Sequence, residues 1–219
     1  MSTTAAPSCS LGYQLKTATA TMHRRVERTP FMASLLRGQV DRQRYVGLLL
    51  NLQALYATLE EALTRHATTP CVAPVVMPEL FRGRAIAADL QALAGDGLAG
   101  HAPLTAAMQQ YVERLHEISA AKPGLLVAHA YVRYLGDLNG GQALRRVVAR
   151  SLGLEGSPES TGTHFYDFGD SVTQQRLVQR FRAGLEAAAA QLQDPQALTA
   201  EAIGAFERHE RLFEELACA

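Results

Sequence analysis

The stretch GLLVAHAYVRYLGDLNGGQALRRVVARSLGL, Gly124 to Leu154, decides how this chain is read. Pro123 opens it, and it reads as helix on both sides of an interruption at Gly136 to Gly141, ending at Gly153, Gly156 and Pro158. A glycine inside a helix costs roughly 0.5–1 kcal/mol relative to alanine, so Gly136, Gly140 and Gly141 together need an offsetting reason. Gly136 and Gly140 are one turn apart and share a face. There a flat ligand could approach bare backbone, the helix could bend, or another helix could pack tightly. Spacing alone leaves all three readings open.

Outward from this segment the pattern stays helical. Leu11, Leu15, Ala18, Met22 and Val26 recur at three- and four-residue steps and mark a buried stripe, and Pro30 begins a new turn. Asp41 is placed to cap a second long helix, with Val40 and Tyr45 as a hydrophobic staple. Tyr45, Leu48, Leu52, Leu55, Leu59 and Leu63 carry its inner face to about His66. TTPCVAPVVMP, Thr68 to Pro78, reads as an ordered apolar loop. A shorter helix is expected from Leu80 to Leu93, stopping at Gly95-Asp96-Gly97, and another after Pro103 through Ile118. HFYDF, His164 to Phe168, falls in or beside a loop. Two closing helices follow, roughly Val172 to Gln193 and Thr199 to Leu216, on either side of Asp194-Pro195. The sum is an all-α domain of about eight helices over residues 11–216, with a flexible N-terminus (1–10) and a short tail (217–219).

Composition narrows the function. Apolar residues make up 47% of the 219, enough for one sizeable core. Basic and acidic residues are balanced at 21 each, which argues against nucleic acid held by bulk charge but leaves room for a local anion site. Cys9, Cys71 and Cys218 lie far apart without metal-ligand spacing. The N-terminus lacks the pattern of an export signal, no window is long and apolar enough for a membrane span, and the last residues, LFEELACA, form no hydrophobic anchor. The expectation is a cytoplasmic protein.

Several polar residues stand out. His23 lies one position from the buried stripe, with Lys16 two turns before it and Glu27 one turn after on the same face. A neutral imidazole is a good iron ligand, although a lone helical histidine is more often a surface group. Asp137 sits among the glycines. If buried it must be hydrogen-bonded, with Tyr56, Tyr134 and Asn139 as possible partners; if not, it faces solvent at a kink. Arg133 and Arg182 are ordinary arginines unless one carboxylate-bearing ligand joins them to Lys16.

At these residues a resemblance becomes specific. LKTATATMHRRVE, FMASLLRGQV, AHAYVRYLGDLNGGQALRR, and Ala205-Phe206 followed by LFEEL resemble the heme oxygenase family, in order and at family-like separations, from about Leu11 to Leu216. The resemblance is to the branch that includes the animal enzymes. It implies a single-domain multihelical fold with heme between a proximal helix and a kinked distal helix. His23 is then similar to the proximal iron ligand, with Glu27 supporting it, and Gly136 and Gly140 to the backbone lying against the oxygen side. Asp137 is similar to the aspartate that holds the distal water network, with Tyr56 behind it and Arg133 a further member. Lys16, Tyr131 and Arg182 resemble the groups that orient the propionates, and Phe206 and Tyr166 the aromatic walls. Two positions depart from the pattern: Asn139 stands where many relatives have Ser, and Val178 where relatives can have a basic residue near the propionates.

The implied reaction is oxidative cleavage of heme b, both substrate and cofactor, at a meso carbon (alpha by resemblance). O2 is the cosubstrate, and the products are biliverdin, ferrous iron and carbon monoxide. No strand–glycine loop–helix fingerprint for a nicotinamide or flavin occurs, so electrons are expected from a separate ferredoxin or NAD(P)H-dependent reductase. That donor would dock near Arg24, Arg25 or Lys122, and a bilin-using protein would follow. The rivals are a heme carrier or sensor that does not turn heme over, and a purely structural helical protein.

Overall fold

The fold begins with helices that carry their own start signals. In the computed structural model, which describes residues 10–98, 103–155 and 161–218, Ser10 Oγ accepts from the Tyr13 amide at 3.3 Å and opens α1 (Leu11–Glu27). Pro30 occupies the first turn of α2 (Pro30–Leu36). Asp41 caps α3 (Arg42–Arg65), its Oδ1 accepting from the Arg44 amide at 2.8 Å, and Val40 and Tyr45 are both buried as a staple requires. Thr105 does the same for α5 (Ala106–Ala121), Asp170 for α8 (Ser171–Ala189), and Asp194 for α9 (Pro195–Cys218). The start of α4 (Gly83–Leu98) is held instead from outside: Glu60 of α3 accepts the amides of Arg82 and Gly83.

α3 is the central element. Tyr45, Leu49, Leu55, Tyr56, Leu59 and Leu63 on it are wholly buried, and α4 and α5 pack along it. α9 closes the other side, lying along α1 and against α5 and α6 (Leu126–Ala130). The apolar stretch from Thr68 to Pro78 is ordered as expected, turning through short 3-10 segments at Ala73–Val75 and Pro78–Leu80. Here Gly184 of α8 is indispensable, because a Cβ on it would lie 2.2 Å from the Pro74 carbonyl oxygen.

Four sequence expectations need correction. Thr19 rather than Ala18 completes the buried stripe of α1, its hydroxyl satisfied by the Leu15 carbonyl at 2.7 Å. α4 starts three residues later than expected and continues past Gly95-Asp96-Gly97 to Leu98, so those glycines do not stop it. α8 ends at Ala189, and α9 starts at Pro195 and runs through Cys218.

The fourth concerns the deciding segment. It is not broken at Gly136 to Gly141: Gly136 has ordinary helical angles (φ −61°, ψ −50°). The distortion lies one turn earlier, where Tyr131–Leu135 form a π-turn between α6 and α7 (Gly136–Ser151). A π-turn accommodates one extra residue in a helix and is frequent at functional sites. α7 stops where Gly153 takes φ +67°, as read from sequence; Gly156 and Pro158, and residues 1–9 of the expected flexible N-terminus, lie outside the described residues.

Candidate functional site

The π-turn and α7 form one wall of a cavity of about 1230 Å³, completed by residues of α1, α2, α3, α8 and α9. Gly136 and Gly140 both line it, and a Cβ added to either would meet nothing within 4 Å. They are not packing glycines. Gly141 is: its added Cβ would lie 3.4 Å from the Tyr166 carbonyl oxygen. Two of the alternatives left open by spacing therefore divide by residue, with two glycines baring backbone to the cavity and the third seating the 3-10 turn His164–Tyr166. That turn is fixed by buried Asp89, which accepts the amides of His164 and Phe165 at 2.7 Å each.

Asp137 is buried, with 8% of its surface exposed, so the solvent-facing alternative is excluded. Arg133 Nη2 donates to its Oδ1 at 2.8 Å, and the Tyr56 hydroxyl donates to Oδ2. Arg133 Nε also donates to Tyr56 Oη at 2.9 Å, which closes a three-membered ring of contacts. Burial pushes the Asp137 carboxyl above the usual carboxylate range, and the Arg133 cation and the Tyr56 hydrogen bond oppose that push. Burial also drives the Tyr56 phenol far up, so it stays a neutral donor. Tyr56 lies behind the wall, whereas Arg133, Asp137 and Asn139 reach the cavity itself. Tyr134, a suggested partner of Asp137, makes no such contact; its buried hydroxyl has no hydrogen-bond partner among the described residues.

His23, on α1, lines the same cavity with 53% of its side chain exposed. Its Nδ1 lies 3.6 Å from Glu27 Oε2, slightly long for a hydrogen bond, and its ring meets Phe206 edge-on at 5.7 Å. Nε2 is thus the nitrogen available for a ligand. Lys16, Tyr131 and Arg182 also line the cavity, and the half-buried Tyr131 hydroxyl lies beside Thr19 and Arg182. Tyr166 and Phe206 contribute aromatic surface, together with Phe165 and Phe213. Val178 packs against the core instead and does not line the cavity. Of the suggested docking residues, Arg24 lies at the cavity, Arg25 is tied to Glu210 at 2.7 Å, and Lys122 is elsewhere, at the end of α5.

Two residues of this wall were missed in the sequence. Glu186 of α8 lines the cavity and accepts the amides of Leu11 and Gly12 at 3.0 and 3.1 Å, tying the start of α1 to the helix that carries Arg182. His209 of α9 lines it too and receives Arg133 Nη1 at 3.0 Å. Its signal was visible: a histidine within the apolar row Phe206, Phe213 and Leu216.

A roomy, largely apolar cavity with bare backbone on one wall, an exposed imidazole on another and the cations Lys16, Arg24, Arg133 and Arg182 among its lining defines a helical protein that holds a flat ligand with an anionic edge. The comparisons give that class its family. A heme oxygenase family model matches residues 9–215. The chain is 38% identical over 207 residues to heme oxygenase 1 of Homo sapiens, covering 94% of this chain and 71% of the human one. It is 34% identical to the heme oxygenase of Porphyra purpurea, over 94% and 86% of the two chains. Among solved structures it resembles the heme oxygenase of Leptospira interrogans, with TM-score 0.86, 33% identity, and 94% and 99% of the chains covered. It also resembles heme oxygenase-1 of Synechocystis sp. PCC 6803 in complex with heme, with TM-score 0.83, 32% identity, and 94% and 92% covered. This chain belongs to the heme oxygenase family.

Proposed function

We propose that the protein cleaves heme oxidatively at a meso carbon, the alpha position, yielding biliverdin, ferrous iron and carbon monoxide. The observation that carries this reading is the open face of Gly136 and Gly140 beside a buried Asp137 held on both oxygens, in the same cavity as His23. A carrier needs the imidazole and the room; it has no use for a carboxylate held at bare backbone.

The residues suit the group. A flat macrocycle would have room where a Cβ at position 136 or 140 meets nothing, and its two carboxylates would pair with Lys16, Arg182 and the Tyr131 hydroxyl, residues that line the same cavity. His23 would supply a nitrogen ligand to the iron. Bound heme supplies the iron at which dioxygen is activated. The chain's own part is orientation and protons. Backbone at Gly136 and Gly140 limits where a small diatomic can lie, and placement within about 1 Å can decide a rate by 10²-fold. Asp137 accepts one bond on each oxygen, from Arg133 and from Tyr56, and each oxygen keeps a second lone pair for ordered water. That water is the proton source. Electrons come from a separate donor, a ferredoxin or an NAD(P)H-dependent reductase.

The test is a single turnover of the reconstituted ferric complex with reductant and oxygen, followed by separation of biliverdin isomers. Loss of the heme absorbance with the alpha isomer as product supports the reading; a complex that survives intact identifies a carrier.

A further inference from the structure

Arg133 presents three nitrogens to three elements of the fold. Nε donates to Tyr56 of α3, Nη2 to Asp137 of α7, and Nη1 to Nε2 of His209 on α9 at 3.0 Å. The last contact requires a lone pair on that Nε2, because a guanidinium only donates. The other ring nitrogen, Nδ1, is 2.8 Å from the Ala205 carbonyl oxygen, which only accepts, so Nδ1 carries the proton. The backbone of its own helix thereby selects the tautomer that leaves Nε2 free to accept.

We propose that His209 is a positioning residue for the distal wall: its Nε2 lone pair takes the one arm of Arg133 that Tyr56 and Asp137 leave unpaired, and so fixes the cation that holds Asp137. This role rests on the proposed reaction for its consequence, but not for its geometry. Without the acceptor, Nη1 must seek a partner from the cavity that Arg133 and His209 both line, and the guanidinium is drawn away from Asp137. The groups facing His209 preserve its neutrality. Arg133 comes from the π-turn, His129 from α6, and Tyr111 from α5, whose ring meets the imidazole edge-on at 5.2 Å, while Phe213 of its own helix lies 6.1 Å away. Burial first, and then the Arg133 cation, press against a proton on the ring.

The experiment has two arms. In the heme-free protein, 15N spectra of labelled histidine and arginine should show His209 as the Nδ1–H tautomer with an unprotonated Nε2 from about pH 8 to about pH 5, and the Arg133 side-chain resonance should move in His209→Leu. An Nε2–H tautomer, or an Arg133 resonance unchanged by the substitution, overturns the proposal whether or not heme is degraded. In the reconstituted protein, His209→Leu should slow single turnover about tenfold, the scale of one charge-assisted hydrogen bond, with heme affinity held. His209→Gln, which returns an acceptor near the Nε2 position, should recover most of that rate. Equal rates in His209→Leu and wild type, or equal loss in both variants, refute it. Failure of every form, wild type included, to consume heme would instead count against the reaction, and the spectra of the wild-type protein would still decide the role of His209.

Discussion

Arg133 and Asp137 form an ion pair one helical turn apart, at 2.8 Å, across the junction of the π-turn and α7. Tyr56 from α3 bonds to both. The pair is therefore anchored to α3, the helix along which α4 and α5 pack, rather than floating on the cavity wall.

Asp137→Asn should expose what the pair does. The amide offers an N–H where one of two donors points, which costs about 1–3 kcal/mol of stability. Turnover should fall on the order of 10²-fold, the usual share of a positioned proton donor, while heme still binds. Denaturant midpoints, heme titration and biliverdin yield measure the three separately, and an undiminished yield would remove Asp137 from the reaction.

The glycines make opposing predictions. Gly136→Ala and Gly140→Ala should each stabilise the heme-free protein by about 0.5–1 kcal/mol, since the new methyl meets nothing and the helix gains. Heme affinity should drop in the same variants. Gly184→Ala should do the reverse of the first, losing about 1–3 kcal/mol or more because the methyl collides with the Pro74 carbonyl. Thermal melts with and without heme distinguish these outcomes.

Stability should depend on pH through buried histidines. Burial lowers the pKa of His129 and, far more, of His209. Below about pH 6.5 the unfolded chain binds protons that the native state refuses, so stability falls as pH drops, by up to about 1.4 kcal/mol per pH unit for each histidine. Glu201 acts in a lower window. Burial raises its pKa, but hydrogen bonds from His129 and Arg114 outweigh that and hold it at about 2, so its contribution fades only below about pH 4.5. Asp89 and Asp137, raised by burial, have the opposite sign and offset part of the loss. Urea midpoints between about pH 7.5 and about pH 5 should fall less steeply in His209→Gln; parallel curves would be the contrary result.

His23→Ala should bind heme without its protein axial nitrogen, and added imidazole should restore the spectrum. Lys16→Ala and Arg182→Ala should instead leave ligation intact and change the ratio of biliverdin isomers. Identical spectra in wild type and His23→Ala would leave the iron ligand elsewhere.

Much of this was legible because its signals are local. Asp41 announces α3, the three- and four-residue steps mark the face that Leu55 and Leu59 bury, and one turn between Gly136 and Gly140 predicts their shared face. What was illegible depends on partners distant in sequence. Nothing near Glu60 says that it caps α4, and although the resemblance joined Arg133 to Tyr56 and Asp137, nothing near Arg133 says that its third arm meets His209. The π-turn escapes for a different reason: an apolar period read over a dozen residues barely changes when one residue is added. Gly95 to Gly97 misled because glycine weakens a helix without being obliged to end it.

The extra residue at Tyr131–Leu135 sets the angular phase of everything after it. Successive helical positions turn by about 100°, so deleting a single residue there would swing Gly136, Asp137 and Gly140 together off the cavity while leaving α7 just as helical. A substitution in the turn keeps that phase, whereas a one-codon loss would blind the site without unfolding the chain.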